Sequence, residues 1–83
     1  MKKEYEDIIE VWLDVFRTLP KTIHMERRLY VDGVCRHITF TMLNVLVNKL
    51  SKKGYDMDMW DVSPLDENSV LFSIWLYKRR REE

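Results

Sequence analysis

The sequence contains little cysteine, glycine or proline, and no excess of either charge. Its 83 residues include one cysteine, two glycines and two prolines, with 14 basic and 14 acidic side chains. The single cysteine, Cys35, excludes an intrachain disulfide and favours a reducing compartment. Two glycines cannot form the glycine-rich loops that bind phosphate groups, so no nucleotide cofactor is expected. A net charge of zero also argues against a strong polyanion binder.

Long apolar runs are missing as well. No stretch approaches the roughly eighteen residues of a membrane span. The first residues, Met1-Lys2-Lys3-Glu4, lack the apolar segment of a signal peptide. We therefore expect a soluble, cytoplasmic protein without a membrane partner. A chain of this length and mixed composition predicts one globular domain over residues 1–83, with a core small enough that self-association would add useful stability.

Residues 3–18 have the periodicity of an amphipathic helix. Acidic residues occupy its first turns, where the helix dipole favours them, and Pro20 predicts its end. The apolar residues that recur at intervals of three and four are Tyr5, Ile8, Ile9, Trp12, Val15, Phe16 and Leu19.

The next thirty residues allow two interpretations. Residues 22–31 alternate as in a strand with one wet face, which includes His24, Arg28 and Tyr30. Residues 34–53 show a helical polar stripe, and Asp32 fits as the N-cap of such a helix. The alternative is a hairpin at residues 22–40, with Asp32-Gly33 as its tight turn.

The end of the chain has the pattern of an antiparallel hairpin, with strands at residues 55–62 and 69–79 and a loop at residues 63–68. If Val62 lies opposite Ser69, one face is wholly apolar and belongs to the core. The predicted architecture is α+β in the order αβαββ, with two helices on a three-stranded sheet. The hairpin at residues 22–40 would change the order to αββαββ.

The other face of this terminal hairpin is the strongest candidate for a binding surface. In the same register it carries Trp60, Leu71, Trp75 and Tyr77. Exposed aromatic side chains of this kind are typical of protein interfaces. Two alternatives remain: the first helix covers this face, or the aromatic rings stack on nucleic-acid bases.

The middle of the chain is basic, with seven lysines and arginines and two acidic residues between positions 21 and 53. Arg27, Arg28 and Arg36 flank the predicted strand–helix junction and are candidates for phosphate contacts. This segment supports nucleic-acid binding as the alternative function.

Candidates for chemistry are weak. In the favoured helix, Cys35 and His37 point in different directions; in the hairpin they would share a face, but no orienting third group is evident for them or for His24. Asp56 and Asp58 share a strand face but lack further oxygen ligands for a metal. We therefore expect no catalytic residues, no metal and no cofactor. The sequence favours a small non-enzymatic interaction protein, regulatory or inhibitory, which binds itself as a homodimer or binds another protein.

Overall fold

The computed structural model describes residues 3–79. Within that range, two helices and four strands follow the order αββαββ, after a short 3-10 turn at Lys3–Tyr5. They are α1 (Glu6–Phe16), β1 (Thr22–Met25), β2 (Leu29–Cys35), α2 (Phe40–Lys52), β3 (Tyr55–Asp66) and β4 (Ser69–Lys78). The predicted α+β class is confirmed. The sheet has four strands instead of three, and the element order is that of the alternative.

The four strands form one antiparallel sheet in the order β1-β2-β4-β3. Strands β2 and β4 lie in the centre, and β1 and β3 are the edges. The β1–β2 and β3–β4 hairpins are therefore joined through β2 and β4, which are distant in sequence. This pairing places residues from both hairpins side by side on each face of the sheet.

The prediction that residues 34–53 form one helix was wrong for residues 34–39. Strand β2 continues through Asp32 and Gly33 to Cys35, and helix α2 begins only at Phe40. The tight turn lies earlier, at residues 26–28, where the Glu26 amide donates to the Arg28 carbonyl at 3.1 Å. Asp32-Gly33 is therefore neither a turn nor a helix cap.

Recognisable local signals mark the end of α1 and the start of α2. Arg17 closes α1 in the left-handed conformation, with φ of 61°, and its amide donates to the Leu13 carbonyl at 2.8 Å. Thr39 caps α2, since its hydroxyl oxygen accepts from the Met42 amide at 3.1 Å. The two helices are joined on their outer side by the ion pair of Lys49 with Asp14, 2.6 Å apart.

One core lies between the helices and a single face of the sheet. Trp12 is fully buried there, with its ring centroid 5.7 Å from that of Phe72. Burying side chains of this size is the main stabilising contribution in a small domain. The other buried apolar residues are Ile8, Val11, Leu29, Val31, Cys35, Leu43, Leu46, Leu50, Tyr55, Ile74 and Leu76.

The β3–β4 hairpin differs from its predicted form in both turn and register. The strands extend to Asp66 and from Ser69, so the turn is Glu67-Asn68 and not residues 63–68. The Asn68 amide donates to Asp66 Oδ1 at 2.8 Å, an Asx turn that explains the tight connection. Val62 pairs with Phe72 and not with Ser69.

A β-bulge interrupts β3 between Met57 and Met59. Met57 pairs with Leu76 and Met59 pairs with Trp75, so the extra residue, Asp58, shares the position opposite Trp75. The bulge reverses the alternation of side chains along the rest of the strand.

Candidate functional site

Both helices cover the same face of the sheet, which excludes the alternative in which α1 covers the aromatic face. Trp12 of α1 packs on Gly33 and Phe72, and the buried residues of α2 belong to the same core. We call the opposite side the open face. The strand registers assign to it Thr22, His24, Tyr30, Asp32, Val34, Asp56, Asp58, Met59, Asp61, Ser63, Leu71, Ser73, Trp75 and Tyr77.

An aromatic row crosses the open face from β1 to β4. His24 pairs with Tyr30, and Tyr30 pairs with Trp75. The ring centroids are 5.2 Å apart for the first pair and 5.1 Å apart for the second, both tilted. Such contacts add stability beyond the burial of area. The three rings therefore form one contiguous row across the sheet.

Arg28 extends across this row from the β1–β2 turn. Its guanidinium carbon lies 6.0 Å from the ring centroid of Trp75, and its Nη1 pairs with Asp58 Oδ2 on β3. The cation–π contact and the ion pair together hold the guanidinium over the indole. Asp58 lies on the open face by the regular alternation from Asp56, and the bulge places Met59 on the same face beside it.

A small polar cluster lies beneath the aromatic row. The Tyr30 hydroxyl donates to Asp32 Oδ2 at 2.7 Å and lies 3.2 Å from Ser73 Oγ. Asp32 is buried, and its Oδ1 has no hydrogen-bond partner within residues 3–79. Burial is the main cause that raises the pKa of Tyr30, and the neighbouring Asp32 carboxylate also raises it.

A shallow hollow of about 460 Å³ adjoins the row at the β1–β2 turn. Its walls combine cationic and aromatic groups with one carboxylate. They are His24, Glu26, Arg27, Arg28, Tyr30 and Trp75. His24 Nε2 lies 3.4 Å from Glu26 Oε1, so the carboxylate faces a group that is cationic only when protonated. This hollow suits an acidic or aromatic group of a binding partner.

Three of the four predicted interface residues lie on the open face. Trp75 and Leu71 are half-buried there, and Tyr77 is exposed. The sequence pattern predicted Trp60 on this face. Trp60 lies on the helix side of the sheet instead, because the bulge at Asp58 reverses the alternation of side chains along β3. Its ring centroid is 6.4 Å from that of Phe72 in the core.

Trp60 instead borders a second, apolar hollow of about 570 Å³ between β3 and the start of α2. Phe40, the first residue of α2, lines this hollow and is 81% exposed, while Trp60 is 43% exposed. The chain therefore has two separate apolar surfaces, one on each side of the sheet.

The three arginines proposed for phosphate contacts do not lie together. Arg27 and Arg28 are in the β1–β2 turn, whereas Arg36 follows the far end of β2 and lines the second hollow. Eight residues of extended chain separate Arg28 from Arg36, about 26 Å at the usual rise of a strand. The three arginines therefore do not form one cluster, since the strand–helix junction lies after β2, beside Arg36, and Arg27 and Arg28 lie at the other end of that strand.

The acidic residues of β3 have partners within the chain. Asp56 Oδ2 lies 3.5 Å from Arg79 Nε, Asp58 pairs with Arg28, and Asp61 accepts from the Ser63 hydroxyl at 3.3 Å. Between residues 3 and 79, no group of three or more histidine, cysteine or acidic side chains has a geometry that would hold a metal ion.

Cys35 is not placed for nucleophilic chemistry. It is buried on the helix side of β2, and burial raises the pKa of its thiol to about 11. His24 lies on the open face, on the other side of the sheet, and His37 is exposed beyond the end of β2. A thiolate nucleophile requires a lowered pKa and a nearby base, and Cys35 has neither in the described chain.

Sequence reasoning missed part of the open face. Tyr30, Val34 and Met59 belong to it, and the latter two are 41% and 44% exposed. The alternation of residues 22–31 placed Tyr30 on a wet face, but nothing in the sequence indicated that Trp75 is its neighbour. Val34 was assigned to a helix and Met59 to the core.

No helix within residues 3–79 has the length and apolar character needed to cross a membrane. No protein-family model, curated protein or solved structure matches the chain.

Proposed function

We propose that this chain is a small non-enzymatic interaction domain that binds a second copy of itself through the open face of its sheet. One observation carries the proposal: both helices cover the same side of the sheet and leave large aromatic and apolar side chains on the other. Antiparallel sheets can present one face to water, and that face is then normally polar. Here the open face carries Tyr30, Trp75, Leu71, Val34 and Tyr77 among its polar residues.

The composition of this surface resembles the centre of a protein interface. Tyrosine, tryptophan and arginine are the residue types that contribute most to association, and they are grouped here around Trp75. Tyr30 and Arg28 hold the indole in place, so little side-chain entropy is lost on binding. A second copy would also compensate for the limited core of a chain with 83 residues.

The charges of the open face favour a protein over a nucleic acid. Three carboxylates, Asp56, Asp58 and Asp61, line β3, and the nearby Arg79 and Arg28 are paired with the first two, so this part of the sheet offers no excess positive charge to a phosphate backbone. Arg28 is already paired with Asp58, and Arg36 lies at the other end of β2. Nucleic-acid binding remains the competing function, and the same experiment tests it.

Sedimentation equilibrium over a wide concentration range tests the proposal. We expect a reversible monomer–dimer equilibrium for the unmodified chain. Tyr77→Lys and Trp75→Ala should each weaken it at least about tenfold, since truncation of a central aromatic residue usually removes more than about 1.4 kcal/mol. Tyr77 is 51% exposed on the open face and is not part of the core, so its replacement should leave the fold intact.

Trp60→Ala and Phe40→Ser are the matched controls, because both residues are exposed aromatics on the opposite side of the sheet. They should leave the dimer unchanged. A chain that stays monomeric at every concentration would overturn the proposal, as would a dimer weakened only by the two control variants. Salt-sensitive co-sedimentation with a mixed-sequence oligonucleotide, lost in Trp75→Ala, would favour the nucleic-acid alternative.

A further inference from the structure

We infer that the two copies are related by a two-fold axis that runs parallel to the strands, between β2 and β4. This inference rests on the proposed dimer and adds the orientation of its partner. Rotation about this axis places β1 of each copy over β3 of the other, and β2 over β4. The strand registers align the open-face residues in rows across the sheet.

Three rows are defined by residues that pair directly. From β1 to β3, the first is Thr22, Asp32, Ser73 and Asp61, and the second is His24, Tyr30, Trp75 and Met59 with the bulged Asp58. The third, which β1 does not reach, is Val34, Leu71 and Ser63. Rotation about a two-fold axis parallel to the strands leaves the position of each residue along the strand direction unchanged. It reverses the order of the residues across each row.

The reversed rows match in apolar character. Tyr30 of one copy lies over Trp75 of the second copy, and Val34 lies over Leu71 of the second copy. Each contact occurs twice because the interface is isologous. Stacked sheets lie about 10 Å apart with their strands within about 30° of each other, so side chains near the axis interdigitate.

The reversed rows also match in charge. His24 and the turn that carries Arg27 lie at the β1 edge, whereas Asp56 and Asp58 lie on β3. Rotation brings His24 over Asp58 of the second copy. The same rotation places the turn that carries Arg27 over Asp56 of the second copy. Asp56 pairs with Tyr77, which lies two residues beyond Trp75 on β4, on the side of the sheet where that turn lies. At each edge of the dimer the basic turn and His24 of one copy therefore face the acidic strand of the other, whose Asp58 and Asp56 also pair with Arg28 and Arg79 of their own chain.

A two-fold axis perpendicular to the strands gives the reverse result. It stacks each strand on its own copy, so the three carboxylates of β3 face the same three carboxylates. It also directs the Arg28 end of β2 toward the Arg36 end of the second copy. Like charges in contact across an interface disfavour association, and this orientation has no compensating pair.

Thr22 distinguishes the two orientations, because it lies at the β1 edge in the same row as Asp61. In the proposed dimer it faces Asp61 of the second copy. Thr22→Lys should tighten the dimer and Thr22→Asp should weaken it, each by about two- to thirtyfold for two equivalent exposed pairs. The double variant Thr22→Asp/Asp61→Lys should recover the affinity that Thr22→Asp loses.

Sedimentation equilibrium at low and high salt measures these changes. Thr41→Lys and Thr41→Asp on the exposed side of α2 are the controls and should have no effect. If both Thr22 variants weaken the dimer, or if neither changes it, the orientation is wrong while the dimer stands. If the unmodified chain is monomeric, the orientation and the proposed function are wrong together.

Discussion

The indole of Trp12 packs directly on the backbone of Gly33. A β-carbon at Gly33 would lie 2.8 Å from Cζ2 of Trp12 and 3.0 Å from its Nε1, closer than side chains normally approach. The contact brings α1 against the centre of the sheet. It explains why a glycine occurs inside β2, where a side chain would otherwise strengthen the strand.

We therefore expect Gly33→Ala to lower the free energy of unfolding by about 1–3 kcal/mol through overpacking of the core. Urea denaturation measures the change. Trp12→Phe removes part of the ring and, by itself, destabilises the core by leaving a cavity. In the double variant the two losses should be less than additive, because the smaller ring makes room for the new methyl group. Additive losses would show that the contact is not the reason for the glycine.

Loss of the Tyr30 hydroxyl should destabilise the fold because it leaves a buried carboxylate short of a donor. Asp32 is 7% exposed, and the Tyr30 hydroxyl is its hydrogen-bond donor at 2.7 Å. We expect Tyr30→Phe to lower the free energy of unfolding by about 1–3 kcal/mol. The same change in an Asp32→Asn background should lose less, since no buried charge remains. Equal losses in both backgrounds, measured by urea denaturation in dilute solution, would contradict this account.

Alkaline pH should destabilise the protein partly through Cys35. Burial raises the pKa of its thiol from 9.0 to about 11 in the folded chain. The stability that the neutral thiol contributes is fully present below pH 9, the unfolded value. It is lost as pH rises toward 11, because only the unfolded state releases the proton in that interval.

The free energy of unfolding between neutral pH and pH 11 checks this expectation. Cys35→Ala should reduce the steepness of the alkaline loss, whatever its effect at neutral pH. A residual slope should persist, since burial also raises the pKa values of Tyr30 and Tyr55. Identical slopes for the unmodified protein and Cys35→Ala would show that burial does not raise the pKa of the Cys35 thiol.

Local patterns were sufficient for much of the secondary structure. The three- and four-residue spacing predicted α1, and alternation predicted the terminal hairpin and strand structure at residues 22–31. That predicted strand is in fact two, β1 and the start of β2, separated by a turn. These features depend on neighbours within a few residues, which the sequence displays directly. The apolar side of β4, with Phe72, Ile74 and Leu76, was identified for the same reason.

The sequence was ambiguous where two local patterns overlapped. Residues 34–39 continue a helical stripe, yet they complete β2 and lead to the Thr39 cap of α2. Val34 pairs with Leu71 and Cys35 with Val70, so β2 continues to Cys35 instead of giving way to a helix. These contacts join residues far apart in the chain. Tertiary pairing therefore overrides the helical pattern of residues 34–39.

The sequence by itself determined the α+β class, the amphipathic first helix and the presence of an aromatic strand surface near the end of the chain. Only the tertiary structure decided which aromatics share that surface. The side-chain period of a strand is two, so one extra residue at Asp58 moves Trp60 to the opposite face. The pairing of β2 with β4 then places Tyr30, not Trp60, beside Trp75.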